Sequence, residues 1–586
     1  MDKFSNSLPV AIASIGSSKI TLLVGSAITV GADATIPDNI ILWFVGPGKL
    51  FVNSGKVLTI NSPSQVLAHT QQQVFDGTGT VSFTNGGIVS PGWWGFSSGG
   101  TAAANADAYN ACTASLTATG GAIVIPPTGA AHQVDDTLTH PAKPMSVIGA
   151  HPELSIIEST ATASLKHGLT FTRSHHVRNL TIKTSASLAS NYDMYGVRMD
   201  LDGVTVSGGN QAVKWESVKV RGFNNSFYCD GGDAYNVDRL YFNDLDAQCS
   251  GPASTYIGSC LYINRVTQVY GTHSQFDQNS TGEHAIYCFG SKNLVFDGFK
   301  IRNFDKGTAQ AIKVVGNGVA PDDDQAYPTW SIRNMDIADG LNGILCGIYG
   351  TETLEALTVE NCKFVDVDTS AAILGCVYLS AAGTSNIRTL RVSGISTRNC
   401  LYQGVHVATG ASATMGPVSI RDCKGYNWST TSAGTYTWFG TSGTGTFGPI
   451  TLEGIEADGN SKGRTIVSGS GQASTISRIR YSGLKEVNTT NMGRPISLPE
   501  ADATPSLAIG NWFVQPNTGA QNITAYDNLE ANQTYYIRFS TANTTLIDGA
   551  NLQLAGSTNY NPPANTFMTF YCSDGTALYE VSRSVN

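Results

Sequence analysis

The chain has 586 residues, enough by length for three or four domains, with only 13% charged residues and a formal net charge of -9. An acidic balance lacks the basic footprint that nucleic-acid binding needs. No apolar run approaches the roughly 20 residues that span a bilayer, and Met1-Asp-Lys-Phe4 with the short apolar stretch 8–15 does not make a secretory leader.

Residues 1–95 form a first segment of strand-and-turn sequence. Lys19-Ile-Thr-Leu-Leu-Val24, Ile40-Ile-Leu-Trp-Phe-Val45 and Lys56-Val-Leu-Thr-Ile60 are separated by Gly-containing turns. Pro91-Gly-Trp-Trp-Gly95 follows. The Ala-rich stretch from Thr101 to Leu116 is the best helix in the chain, and Gly120-Gly121 stops it. A helix at this place is expected to cap the open end of what comes next. Ala122-Ile-Val-Ile125 and Pro126-Pro-Thr-Gly129 read as strand and turn.

Between Val218 and Leu484 one six-residue phrase recurs: apolar, any, apolar, any, small or polar, apolar. Examples are Val218-Lys-Val-Arg-Gly-Phe223, Leu240-Tyr-Phe-Asn-Asp-Leu245, Leu357-Thr-Val-Glu-Asn-Cys362 and Ile450-Thr-Leu-Glu-Gly-Ile455, with a degenerate copy at Val269. Starts are 22 to 36 residues apart. Period-two alternation puts the first and third residues on one face of a strand, and the following Gly, Asn or Asp turns the chain. A second strand phrase precedes most copies, as in Phe227-Tyr-Cys229 and Ile286-Tyr-Cys288. No single repeat can bury its apolar face, so the units must stack as parallel rungs about 4.8 Å apart. This predicts an all-β chain whose body, 96–495, is a parallel β-helix. Residues 496–586 lose the long period and read as a β-sandwich-like domain. The eleven cysteines are odd in number, form no CxxC pair and often fall at inward positions (Cys229, Cys288, Cys346, Cys362, Cys423). They are expected to be small buried hydrophobes of a protein assembled in a reducing cytoplasm.

Gln73-Val-Phe-Asp-Gly77, Pro91-Gly-Trp-Trp-Gly95, the Ala-rich helix, Gly120-Gly-Ala-Ile-Val-Ile-Pro-Pro127, the coils and the ending Tyr579-Glu-Val-Ser-Arg583 together resemble a bacteriophage tailspike depolymerase of the pectate-lyase-like superfamily. Gly92 stands where that family usually has Glu, the Asp-Asp pair before the helix is absent, and no Tyr follows Thr128. The resemblance covers most of the chain. It implies a right-handed parallel β-helix whose 496–586 domain serves trimerisation or carbohydrate binding, in a homotrimer on a phage tail or its adaptor protein, assembled in the host cytoplasm, that degrades bacterial capsular or O-antigen polysaccharide. It assigns no catalytic residue.

Outward positions on the strand before each phrase are Tyr228, Tyr262, Tyr287, Lys313, Leu345, Tyr378 and His406. Stacked rungs would bring such aromatic side chains into a column that either holds successive sugar units or meets a neighbouring subunit. Glycoside hydrolysis needs two carboxyl groups, one protonated and one ionised. Glu283 and Asp305, in turns leading into adjacent rungs, are the preferred pair, with His284 beside them. Asp297 and Glu360 flank Arg333 at roughly 9–10 Å of backbone separation, and read more readily as an exposed charge ladder. Asp322-Asp323-Asp324 reads as a solvated loop without calcium-loop spacing. The column Asn303, Asp339, Asp366, Asn399 and Asn427 is expected to bond between rungs. No cofactor or metal is called for, and nucleophile-elbow, zinc-protease and nucleotide motifs are missing. The reading is a hydrolase. A lyase relying on Lys313 or His406, a non-catalytic tail fibre and a secreted pectinase are the alternatives.

Overall fold

In a computed structural model the chain is described over residues 7–116, 120–161, 166–185, 194–201, 211–232, 235–249, 258–278, 284–304, 310–316, 326–368, 375–400, 403–428, 438–459, 467–468, 479–482, 485–487, 496–507 and 511–584. It divides into two compact units, Met1–Gly316 with Asn334–Ile344, and Asn317–Arg333 with Leu345–Asn586. Both are built from parallel strands paired a full coil apart in sequence, the pattern of a parallel β-helix.

The first unit begins with a feature absent from the sequence reading. Residues 20–83 are themselves a small solenoid. Ile20–Val24 pairs with Ile40–Phe44, and Ala27–Val30 with Lys49–Val52. Ala34–Ile36 pairs with Val57–Ile60, and that strand with Thr80–Phe83. All these pairings are parallel. Coils this short hold only two- to five-residue strands, too little for a recognisable six-residue phrase. Helix α1, Leu8–Ile15, packs against the strand Ala34–Ile36 through a face that buries Leu8, Ala11 and Ile15.

Helix α2, Ala102–Ala114, starts where expected, with the Thr101 hydroxyl accepting from Ala104 N. It does not close a bare end. It packs against Thr80–Phe83 before it as well as Ala131–Val134 and Leu138–Thr139 after it. Gly92 has a steric reason: a Cβ there would lie 2.0 Å from the Thr70 carbonyl oxygen, which excludes the Glu of the resembled family.

The phrase strands stack in register. In the first unit Val147, Val177, Trp215, Phe242, Gly271 and Phe296 follow one another inward, rung by rung. Gly271 explains the degenerate copy. A Cβ there would sit 2.1 Å from the Phe242 ring, because Phe242 and Phe299 already fill that rung with centroids 5.7 Å apart. The preceding strands stack Phe171, Met199, Cys229, Ile263, Cys288 and Val314. In the second unit Leu357, Leu390, Val418 and Ile450 align in the same way. Each fully buried inward chain of this kind stabilises by about 1.5–3 kcal/mol. All eleven cysteines are buried thiols, as the composition implied.

The fifth position of the phrase is left-handed. Gly222, Asp244, Gly298, Asn334, Asn361, Gly394, Asp422 and Gly454 have φ of 83°, 53°, 74°, 57°, 53°, 64°, 52° and 62°. Only Gly, Asn and Asp tolerate that turn routinely. Asn303, Asp339, Asp366 and Asn399 are left-handed too, at 56°, 60°, 53° and 54°. The Asn303 amide donates to Asp277 at 3.1 Å and the Asn399 amide to Asp366 at 2.8 Å, so these are inter-rung ties.

From Ile496 onward the pairing becomes mixed. Gln533–Phe539 and Thr566–Cys572 are antiparallel, as are Thr566–Cys572 and Leu578–Ser584, whereas Trp512–Gln515 runs parallel to Gln533–Phe539. Phe513, Ile523, Tyr535, Ile537, Leu546, Met568, Phe570 and Leu578 share one buried core. The final strand carries the 579–583 ending.

Candidate active site

The aromatic column is present in the first unit. Tyr228, Tyr262, Tyr287 and Lys313 are register neighbours on successive strands, all half-buried and facing outward. Tyr228 and Tyr262 stack with centroids 4.9 Å apart and planes 6° off parallel, and Tyr287 meets Tyr262 edge-on at 5.4 Å. Lys313 Nζ lies 4.9 Å from the Tyr287 ring centroid and 3.3 Å from His284 Nε2. The column continues backwards to Arg198, whose guanidinium sits 5.4 Å from the Tyr195 ring and 5.9 Å from the Tyr228 ring. Burial raises the Tyr228 and Tyr262 phenols well above their usual value, so both stay protonated donors.

Two residues further along the same strands lies a second outward column that the sequence reading overlooked: Asp200, Asp230 and Asn264. Its signal was visible as Arg198-Met-Asp200, Tyr228-Cys-Asp230 and Tyr262-Ile-Asn264, but only the first outward position of each strand had been collected. Asp200 and Asp230 are direct register partners, so their backbones are one rung, about 4.8 Å, apart. Their surroundings differ. Asp200 is ion-paired with Arg198, whose Nη1 also meets His167 Nε2 at 3.1 Å. Burial, reinforced by the Arg198 charge, holds His167 down to about 4, so it is neutral near pH 7. Asp230 is only 5% exposed. Its Oδ2 accepts from the Tyr228 hydroxyl at 3.2 Å and from Asn264 Nδ2 at 2.9 Å, and its Oδ1 from Gly232 N at 2.8 Å. Burial raises its pKa above the ordinary aspartate value despite these bonds, and the charge of Asp200 adds to the rise. One carboxyl group is thus biased toward the acid and its neighbour is held by a cation, a split suited to acid/base chemistry.

Glu283 and Asp305 lie outside the described residues, as do Asp322, Asp323 and Asp324. His284 is buried, with Nδ1 accepting from Gln310 N at 3.2 Å. Asp297, in the first unit, takes the Asn334 amide at 2.7 Å. Glu360, in the second, stands in register between Arg333 and Ser393. Tyr378 and His406 are register partners whose rings stack at 5.4 Å. His406 corrects an expectation: at 2% exposure it is no open surface group. Its Nδ1 meets Gln403 at 2.6 Å and its Nε2 meets Ser442 at 2.7 Å, and burial lowers its pKa to about 4. Leu345, read as outward, is likewise buried.

No family model matches the chain, and no curated protein matches it. Among solved structures, the catalytic unit of a thermostable GH87 alpha-1,3-glucanase from Streptomyces thermodiastaticus strain HF3-3 is similar at 12% identity, over 70% of each chain, with a TM-score of 0.36. The fold reading above rests on the strand pairing of this chain itself.

Proposed function

We propose that the chain is a polysaccharide depolymerase that works by glycoside hydrolysis, with Asp230 and Asp200 as its carboxyl pair. The observation that carries this reading is the adjacent-rung pairing of an acid-biased and a cation-held aspartate at the end of an outward tyrosine column. Sugar rings lie on aromatic faces, so the column serves as the platform for successive units. Asp230 supplies the proton to the leaving oxygen through the Tyr228 hydroxyl, which donates to Asp230 at rest and turns over to accept its proton while passing its own on. Asp200, ion-paired with Arg198, attacks the anomeric carbon as the glycosidic bond breaks, and water then releases the sugar from the glycosyl-enzyme. One rung matches the roughly 5–5.5 Å separation of retaining pairs better than the wider inverting range. Glu283 and Asp305 remain the competing pair.

The biological setting we infer is a phage tailspike, a homotrimer acting on capsular or O-antigen polysaccharide at the virion. The segments quoted above support it. So does an outward column of Leu23, Trp43 and Leu67, in register on the first solenoid and 47%, 50% and 46% exposed, which suits contact with another copy. Incubation with capsules and O-antigens from a serotype panel tests the activity. New reducing ends without ultraviolet absorbance from an unsaturated uronate support hydrolysis. Absorbance growth supports a lyase, and neither product means a binding fibre.

A further inference from the structure

The first unit carries a second concavity on different strands. A cleft of about 240 Å³ is lined by Arg221, Asp246, Gln248, Gln275, Asp277, Lys300 and Arg302, with the buried Phe276 beneath. These residues come from Gln211–Arg221, Asp246–Gln248, Gln275–Asp277 and Lys300–Arg302, consecutive paired strands that follow the left-handed turn of each phrase. None belongs to the tyrosine face.

The wall charges sort into engaged and open groups. Arg221 is ion-paired with Asp246. Arg302 donates to the Asp336 carbonyl at 2.6 Å and to its carboxylate at 2.8 Å. Both guanidiniums are therefore fixed and largely compensated. Asp277 accepts from Asn303. Between the two arginines in register stand Gln248 and Asp277, and the row two residues before them carries Asp246, Gln275 and Lys300. Gln275 and Lys300 are register partners and exposed. Among the described residues no carboxylate pairs with Lys300, and neither glutamine amide has a hydrogen-bond partner. The cleft thus offers two amides, each able to donate and accept, beside the Lys300 ammonium, whose register neighbour Asp336 is ion-paired with Arg302, and the Asp277 carboxylate, which takes an amide. Its volume is below the range of drug-sized pockets and admits one pyranose ring.

We propose that this cleft binds a single acidic sugar unit, a hexuronate, with Lys300 pairing its carboxylate and Gln248 and Gln275 bonding its hydroxyls. This second site is independent of the hydrolytic site and holds even if the carboxyl pair above is wrong. An ion pair at an exposed lysine adds little, so a lone monosaccharide binds with a Kd on the order of 1 mM or weaker. Screening by salt loosens it further.

The test is titration calorimetry or ligand-observed NMR on the full chain with sodium glucuronate and sodium galacturonate, and with glucose as the neutral control. The expected result is that at least one uronate binds, glucose binds at least about fivefold more weakly, and Lys300→Met or Gln275→Leu abolishes the difference. Both substitutions are at exposed positions and leave the fold intact by circular dichroism. Neither is expected to alter hydrolysis of a substrate, so loss of binding is distinguishable from failure of the catalytic reading. No uronate binding, glucose binding of equal strength, or full binding by Lys300→Met overturns the proposal.

Discussion

Replacing Asp230 by asparagine separates catalysis from stability, because the same burial that tunes this carboxyl group also strains the fold. Its folded pKa is raised, so its contribution to stability is complete below the unfolded value near 3.8 and is lost as pH rises through the folded value. Above the folded value the 5% exposed carboxyl group has to be carried as a buried charge, which is a liability to the fold. Asparagine keeps the shape, and its hydrogen bonds can be counted. Its oxygen still accepts from Gly232 N. Its amide can donate to the Tyr228 hydroxyl and, once Asn264 turns over, to the Asn264 oxygen, which is buried without a partner. Asp230→Asn is therefore expected to be at least as stable as the parent at pH 7, with the gain gone at pH 3. Asp230→Ala leaves Gly232 N, the Tyr228 hydroxyl and Asn264 Nδ2 unpaired, at about 1–3 kcal/mol each, or roughly 3 kcal/mol and upward in total. Loss of a positioned acid costs about 10²- to 10⁴-fold in rate. Urea unfolding at the two pH values, with reducing-end release on a cleaved capsule, reads both effects. An asparagine variant that keeps activity within threefold, or that is less stable than the parent at pH 7, refutes the assignment.

Tyr262→Ala, in the middle of the column, removes a stacked ring and is expected to raise KM for long oligosaccharides while sparing the shortest cleaved one; an equal effect on all lengths would deny the platform. His140 and His175 are buried in the inward stack, His140 4.0 Å from Phe171 and Phe171 3.9 Å from His175, and their pKa values are lowered to about 4 and about 3. Their share of stability is complete above the unfolded value near 6.5 and declines as pH falls toward those values, so urea midpoints should drop between pH 6.5 and 4. A flat profile would contradict their burial as neutral rings. Asn399→Ala loses the bond to Asp366 and leaves at φ 54° a residue without the short polar side chain that makes the left-handed turn tolerable, for a cost of about 2 kcal/mol in chemical denaturation. Asn399→Gly should recover the conformational part. Trp43→Ser should dissociate a trimer by light scattering if the first solenoid is where copies meet.

Fold class was legible because a stacked rung repeats its demands. Each phrase must turn inward at its first and third positions and left-handed at its fifth, and these constraints recur in order from Val218 to Ile455. The first solenoid is not legible in the sequence because its two- to five-residue strands leave too few positions for a repeated phrase. His406 was misjudged because alternation reports which side of a strand a residue faces, whereas exposure depends on Gln403, Ser442 and Tyr378 closing over it. Sequence alone determined the periodic backbone, the buried cysteines and the tyrosine column, since these follow from local alternation. Tertiary structure alone decided that Asp200 faces Asp230, that Arg198 holds one and burial biases the other, and that Lys300 shares a cleft with two glutamines. Neighbours across rungs lie some 25 to 40 residues apart in the chain, and the unequal loops between them set a register that no local pattern records.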